Sequence, residues 1–165
     1  GVKTRILGYD PGLATIGYGI LDVEDKKITV VDYGVISTPK DETVPVRLAL
    51  IYKSSTELIM KFKPDEVAME QLFFNTNLTT GINVAQARGV LIVSAIHACG
   101  LLYEYTPLQV KMAMTGYGRA DKPQIQAMVR TYLGLKSNPK PDDVADALAV
   151  ALTHIHSRNV KGRLM

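Results

Sequence analysis

The sequence predicts an α/β domain built on a mixed sheet. Three observations predict it. Before residue 40 the apolar residues alternate with a period of two along three successive runs. After residue 45 long stretches of helical spacing are separated by short strand-like runs. The chain has 165 residues, a length that fits one domain with a real core. Antiparallel strands come first and helix-connected parallel strands follow, in the order βββ-α-β-α-β-α-α, which gives a five-stranded mixed sheet flanked by helices.

Each element has its own signal. Residues 5–10 read as a buried strand ending on Asp10, and Pro11-Gly12 as a turn. In residues 16–23, Ile16, Tyr18 and Ile20 alternate with Gly17 and Gly19. In residues 28–37, Val31, Tyr33 and Val35 alternate with Asp32 and Gly34, after a charged turn over 22–27. The period then changes. Leu48, Ile51, Tyr52, Leu58, Ile59 and Phe62 follow helical spacing over 45–62, and Lys63-Pro64 stops that helix. Residues 65–70 form a short strand ending on Glu70, and residues 71–78 a polar and aromatic loop.

The helix over 79–99 is apolar nearly all round. Ile82, Ala85, Gly89, Ile92, Val93 and Ile96 line one face, and Val84, Ala87, Val90, Leu91, Ala95 and Ala98 much of the rest. Such a helix is expected to be buried on two sides, one of them a subunit interface. Gly100 is its expected C-cap. A strand over 101–106, a short helix over 107–114, a glycine-containing loop over 116–120 and helices over 121–133 and 141–157 complete the domain, assigned to residues 1–157. Residues 158–165 read as a basic, flexible tail.

Composition narrows the function. Cys99 is the one cysteine, which excludes an intramolecular disulfide and a CxxC site; it reads as a small core residue. No apolar stretch reaches the roughly 18 residues of a membrane helix, and the N-terminus lacks a signal-like pattern, so an intracellular location without membrane is expected. Charge is uneven. Residues 1–100 carry 10 basic and 11 acidic side chains, whereas residues 101–165 carry 9 basic and 5 acidic. Three of those five acids are Asp142, Asp143 and Asp146. A basic surface holding clustered acids suggests a polyanion bound around a metal site.

Four acids carry the chemistry. Asp10 and Glu70 end strands, and strand ends deliver side chains to one edge of an α/β sheet. Asp143 and Asp146 lie three apart at the start of the last helix, on one face. Each has a bland reading by itself: Asp-Pro-Gly is a common turn, and acids at a helix start favour its positive end, which is the role assigned to Asp142. Gathered together they demand a cation, because two like charges about 4 Å apart repel by about 4 kcal/mol at an effective dielectric near 20. All-oxygen ligation selects Mg²⁺, or Mn²⁺ in its place. Two such ions about 3.5–4 Å apart suit phosphodiester hydrolysis.

At this point the sequence resembles the RuvC family of Holliday-junction resolvases. The resemblance is carried by Ile6–Gly12 with Thr15, Gly17, Tyr18 and Gly19, by Glu70-Gln71-Leu72-Phe73, by Ala85–Val90 with Gln86, Ala87, Arg88 and Gly89, by Gly116–Lys122, by Met128-Val129-Arg130 and by Asp143–Ala149. The acids alone suggest only the wider RNase H-like superfamily. The resemblance implies an RNase H-like fold, a homodimer and Mg²⁺-dependent paired nicking of a four-way DNA junction to 5′-phosphate and 3′-hydroxyl ends. It implies Asp10, Glu70, Asp143 and Asp146 as catalytic and metal-binding residues, a bacterial cytoplasmic setting, and work alongside a branch-migration motor.

Other residues read as DNA contacts. Lys122 follows a glycine-rich loop at a helix start, where a lysine and backbone N–H groups suit a phosphate, and Lys111 and Arg119 extend the same track. Phe73 or Phe74, on the loop after Glu70, could stack on an unpaired base at a junction centre. His97, His154 and His156 lack a metal-ligand pattern with the acids and are expected to be structural. Two other classes compete: a junction-binding protein without catalysis, which cleavage assays distinguish, and an actin-like or sugar-kinase ATPase, which usually needs two such domains.

Overall fold

The computed structural model describes residues 1–71 and 78–164, with side chains as far as residue 158. Phe73 and Phe74 lie outside the described residues. Every expected segment is present, and three helices, not two, follow the last strand: β1 (Lys3–Asp10), β2 (Thr15–Glu24), β3 (Lys27–Ser37), α1 (Val44–Phe62), β4 (Glu66–Glu70), α2 (Leu78–Cys99), β5 (Tyr103–Tyr105), α3 (Pro107–Thr115), α4 (Lys122–Leu133) and α5 (Asp142–Leu164). The last helix runs seven residues past its expected end at 157.

Local chemistry explains the boundaries. Thr43 caps α1 and is followed by Pro45 in the first turn, while Lys63 closes it in the left-handed region at φ 51°. Thr106 with Gln109 and Asp121 with Gln124 form reciprocal capping boxes at the starts of α3 and α4. Gly100 ends α2 as expected, at φ 74° with its N–H on the Ile96 carbonyl at 2.9 Å.

The sheet order is β3-β2-β1-β4-β5. β1 pairs antiparallel with β2 and parallel with β4, so the strand carrying Asp10 is central. Alternation splits its residues between two layers. Leu7 and Tyr9 face α1 and α2, joining Ile51, Ile59, Ala87, Leu91 and Ala95. Ile6 faces the other layer, with Val110, Met114, Val129 and the apolar residues of α5. On the first side a buried hydrogen-bond chain ties three elements: Tyr9 to Ser55 at 2.6 Å, Ser55 to Ser94 at 2.7 Å, and Ser94 to the Leu91 carbonyl at 2.8 Å.

Within this chain α2 is buried on one side, which leaves the other for the expected subunit interface, and one expectation for it needs correction. The helix buries Ala87, Leu91, Ser94 and Ala95. The face read as its main apolar stripe is the outer one, with Ile82, Val93 and Ile96 each more than 40% exposed. The 22 residues of α2 are, against expectation, long and apolar enough, by composition alone, to cross a membrane. Polar residues interrupt the run without lowering its average enough. Its packing on the sheet and the Arg88–Glu104 ion pair at 3.1 Å account for it as a core helix.

At the far end of the sheet a polar clasp joins β4 to α5. Glu66 Oε1 accepts from Arg158 Nε at 2.6 Å and lies 2.8 Å from His154 Nε2. The buried His154 ring also bonds the Tyr105 hydroxyl through Nδ1 at 2.5 Å. His154 is thus structural, as expected. Cys99 is partly buried against the Pro64 carbonyl, and burial, with Asp65 nearby, pushes its thiol up, away from nucleophilic use.

Candidate active site

The acids meet because α5 lies unusually close to the sheet. Gly8 pairs with Gly19, and Asp10 with Gly17, across β1 and β2. A Cβ on Gly8 would sit 2.3 Å from the Ala147 carbonyl oxygen, and one on Gly17 would sit 2.1 Å from that of Asp143. A Cβ on Gly19 would run into the Leu148 side chain at 2.4 Å. The two strands therefore present a strip without side chains, and the α5 backbone fills it. This brings the first turn of α5 down beside the end of β1.

Three carboxylates converge there. Ligand oxygens of Asp10, Asp143 and Asp146 all lie within 4.8 Å of one another. Glu70 ends the neighbouring parallel strand, one position beyond the Tyr9–Met69 pair, so it stands beside Asp10 on the same edge. Its backbone is fixed by the N–H of Gln71 on the Tyr105 carbonyl at 2.7 Å. Glu70 is not one of the group within 4.8 Å, but its charge is felt at Asp10.

The electrostatics are those of crowded anions. Burial, followed by Asp146, Asp143 and Glu70, pushes Asp10 up to about 9. Burial raises Glu70, with Asp146 adding to it and Lys111 opposing. Burial likewise raises Asp146, against the pull of Lys122. These acids hold more negative charge than the neighbouring cations balance. A divalent cation fits such a site: the donors are all carboxylate oxygens, close enough to share one ion, and burial makes their repulsion costly.

Lys122 has a role that its motif did not show. As the first residue of α4 it reaches back to α5, with Nζ 3.5 Å from Asp146 and 3.8 Å from Asp142. Burial works to lower its ammonium, but Asp146, Asp142 and Asp10 outweigh that and hold it above the ordinary lysine value. Lys122 is thus a counter-ion of the acid cluster, about half exposed. Lys111, on α3, is placed where Glu70 feels its charge, and Arg119 is exposed on the loop between α3 and α4. Asp142 stands in the first turn of α5, with Lys122 and Lys140 each 3.8 Å away. The glycine strip was legible as an alternation in residues 16–20, but not as a seat for a helix.

The family model described as "Crossover junction endodeoxyribonuclease RuvC" matches residues 6–154. The chain belongs to the RuvC family. It is 52% identical over 159 residues to the protein of that name from Clostridioides difficile, covering 96% of this chain and 94% of the relative. It is 54% identical over 154 residues to that of Alkaliphilus oremlandii, covering 93% and 94%. Among solved structures it is similar to Thermus thermophilus RuvC in complex with a Holliday junction substrate, at 35% identity and a TM-score of 0.90, covering 96% of both chains. It is likewise similar to a second Thermus thermophilus RuvC structure, at 36% identity and a TM-score of 0.88, covering 96% of this chain and 97% of that one. The RNase H-like fold expected from the sequence is therefore the fold of this RuvC chain.

Proposed function

We propose that this chain resolves Holliday junctions by paired hydrolytic nicks that leave 5′-phosphate and 3′-hydroxyl ends, in recombination and repair. The observation that carries the reading is the convergence of Asp10, Asp143 and Asp146 at the edge of a RuvC-family sheet, beside Glu70. Asp10, which burial and its acidic neighbours push up furthest, would hold the cations together with Asp143, Asp146 and Glu70. Bound there, Mg²⁺, with Mn²⁺ able to substitute and two ions per site, supplies the Lewis acidity that activates water and neutralises the leaving oxygen. Lys122 opposes the rise at Asp146, and with Lys111 and Arg119 it gives the phosphates of the junction a cationic approach. Phe73 or Phe74 is the candidate for stacking at the junction centre.

We infer a homodimer through α2. Its outer face, with Gly89, Val90 and Val93, forms an apolar groove with Leu48, Ala49 and Tyr52 of α1. A second copy laid on this face would cover Val93 and Ile96 and provide the second site that paired nicking requires. The setting is the bacterial cytoplasm, where a branch-migration motor would act on the same junction.

The test is direct. Wild-type protein with Mg²⁺ should nick a synthetic four-way junction symmetrically and leave linear duplex of the same sequence intact. Asp10→Asn should bind the junction without nicking it. Binding without cleavage by the wild type would favour the non-catalytic junction-binding reading, and full cleavage by Asp10→Asn would refute the assignment of the acids.

A further inference from the structure

A cavity of mixed lining lies on the α1 and α2 side of the same sheet edge. It has a volume of about 380 Å³ and is lined by the loop Gly12–Thr15, by Arg47 of α1, and by Thr80, Asn83 and Val84 of α2. Its wall begins two residues after Asp10. Two residues of chain reach at most about 7 Å. A strand that advances about 3.4 Å per nucleotide along a duplex axis covers that span in a few nucleotides.

Arg47 is held in place by a relay and left with capacity to spare. Its Nε donates to Thr38 Oγ1 at 2.8 Å, and that hydroxyl donates to the Leu13 carbonyl at 2.6 Å, in the loop that walls the cavity. The Thr38 N–H reaches the Ala14 carbonyl of the same loop at 3.0 Å. No carboxylate lies within ion-pair distance of Arg47 among the described residues, and its two Nη groups have no partner there and are not buried orphans, so they reach solvent. A guanidinium pinned through Nε keeps a planar fork of N–H donors, the geometry that a phosphate accepts in bidentate fashion. The cations discussed above, Lys111 and Lys122, sit with α3, α4 and α5, on the opposite side of the sheet. Arg47 brings positive charge to the α1 and α2 side.

We propose that Arg47 and the cavity it lines hold a backbone phosphate of the DNA strand delivered to the acid cluster, a few nucleotides from the scissile position. This inference rests on the endonuclease reading above. Phosphate contacts fix register without reading sequence, so Arg47 sets where the strand lies and not which bases it carries.

The experiment measures junction binding without divalent metal by fluorescence anisotropy across a salt series, for wild type, Arg47→Gln and Arg47→Lys. Losing a charge-assisted contact of this kind weakens binding by about 10- to 100-fold. The slope of log affinity against log salt should flatten by about one in Arg47→Gln and stay near wild type in Arg47→Lys. Arg47→Gln should weaken binding equally for junctions of different sequence. An unchanged slope in a folded Arg47→Gln protein would overturn the proposal and leave Arg47 as a tether for Thr38. A changed preference among cleavage sequences with an unchanged slope would overturn it too, in favour of a base contact. If wild type itself neither binds nor nicks the junction, the endonuclease reading fails first.

Discussion

Substituting Gly17 by alanine tests whether the glycine strip sets the active-site geometry. The new Cβ would lie 2.1 Å from the Asp143 carbonyl oxygen and 2.4 Å from its carbon. Unstrained contacts sit at roughly 3.5 Å, so the first turn of α5 must retreat by more than about 1 Å. The obstacle is helix backbone, which no rotamer change can move aside. Asp143 rides on that backbone and Asp146 is one turn further on. A displacement of about 1 Å at reacting groups lowers rates by about 100-fold. The same overpacking should destabilise the fold by about 1–3 kcal/mol. Gly19→Ala is the matched comparison. Its Cβ meets the Leu148 side chain at 2.4 Å, a group that carries no acid and can partly rotate away. Urea melts should show similar losses of stability for the two variants. Single-turnover nicking of a labelled junction in Mg²⁺ should fall at least about 100-fold in Gly17→Ala and only a few-fold in Gly19→Ala. A folded Gly17→Ala protein that nicks within threefold of wild type would refute the argument, as would equal losses in both.

Three further outcomes follow from the same geometry. Asp10 is raised in the folded protein to about 9, so its proton stabilises the fold below the ordinary carboxylate range, and that contribution is lost as pH rises from about 4 towards 9. Metal-free protein should melt at progressively lower temperature over that window, Mg²⁺ should raise the melting temperature more at pH 8.5 than at pH 5.5, and Asp10→Asn should flatten the metal-free trend; a melting temperature independent of pH in the metal-free wild type would contradict this. Lys122 opposes the rise at Asp146, so Lys122→Met should move the acidic limb of the nicking pH profile to higher pH, and Lys122→Arg should restore it; an unmoved limb would leave Lys122 with no part in tuning Asp146. Val93, 46% exposed on α2, should become intolerant of charge if that face joins two copies, so Val93→Glu should sediment as a monomer and yield unpaired nicks, whereas an unchanged oligomeric state would remove α2 from the interface.

The strands and helices were readable because their periods differ, and because Lys63-Pro64 and Gly100 mark helix ends in the sequence itself. The acids were readable as strand ends and as an i, i+3 pair. What one-dimensional periodicity does not encode is which face of an all-apolar helix turns inward. For α2 the aliphatics Ile82, Val93 and Ile96 face out, while Ala87, Leu91, Ser94 and Ala95 face in. Nor does it encode partners across long separations. Lys122 sits beside a glycine-rich loop and resembles a phosphate ligand, yet its neighbours are Asp142 and Asp146, brought to it by the packing of α4 on α5. Arg47 stands in an ordinary amphipathic helix, and only the fold brings it to the loop after Asp10.

The Glu66–His154–Arg158 clasp bears on how mutually repelling groups stay together before any cation arrives. His154 is eleven residues beyond Asp143 on α5, about 16 Å along the helix axis, and Glu66 stands at the opposite end of β4 from Glu70. Strand and helix are thus riveted at one end and electrostatically pried apart at the other. Like the jaws of a pliers locked at the pivot, they cannot relieve the strain by sliding past each other.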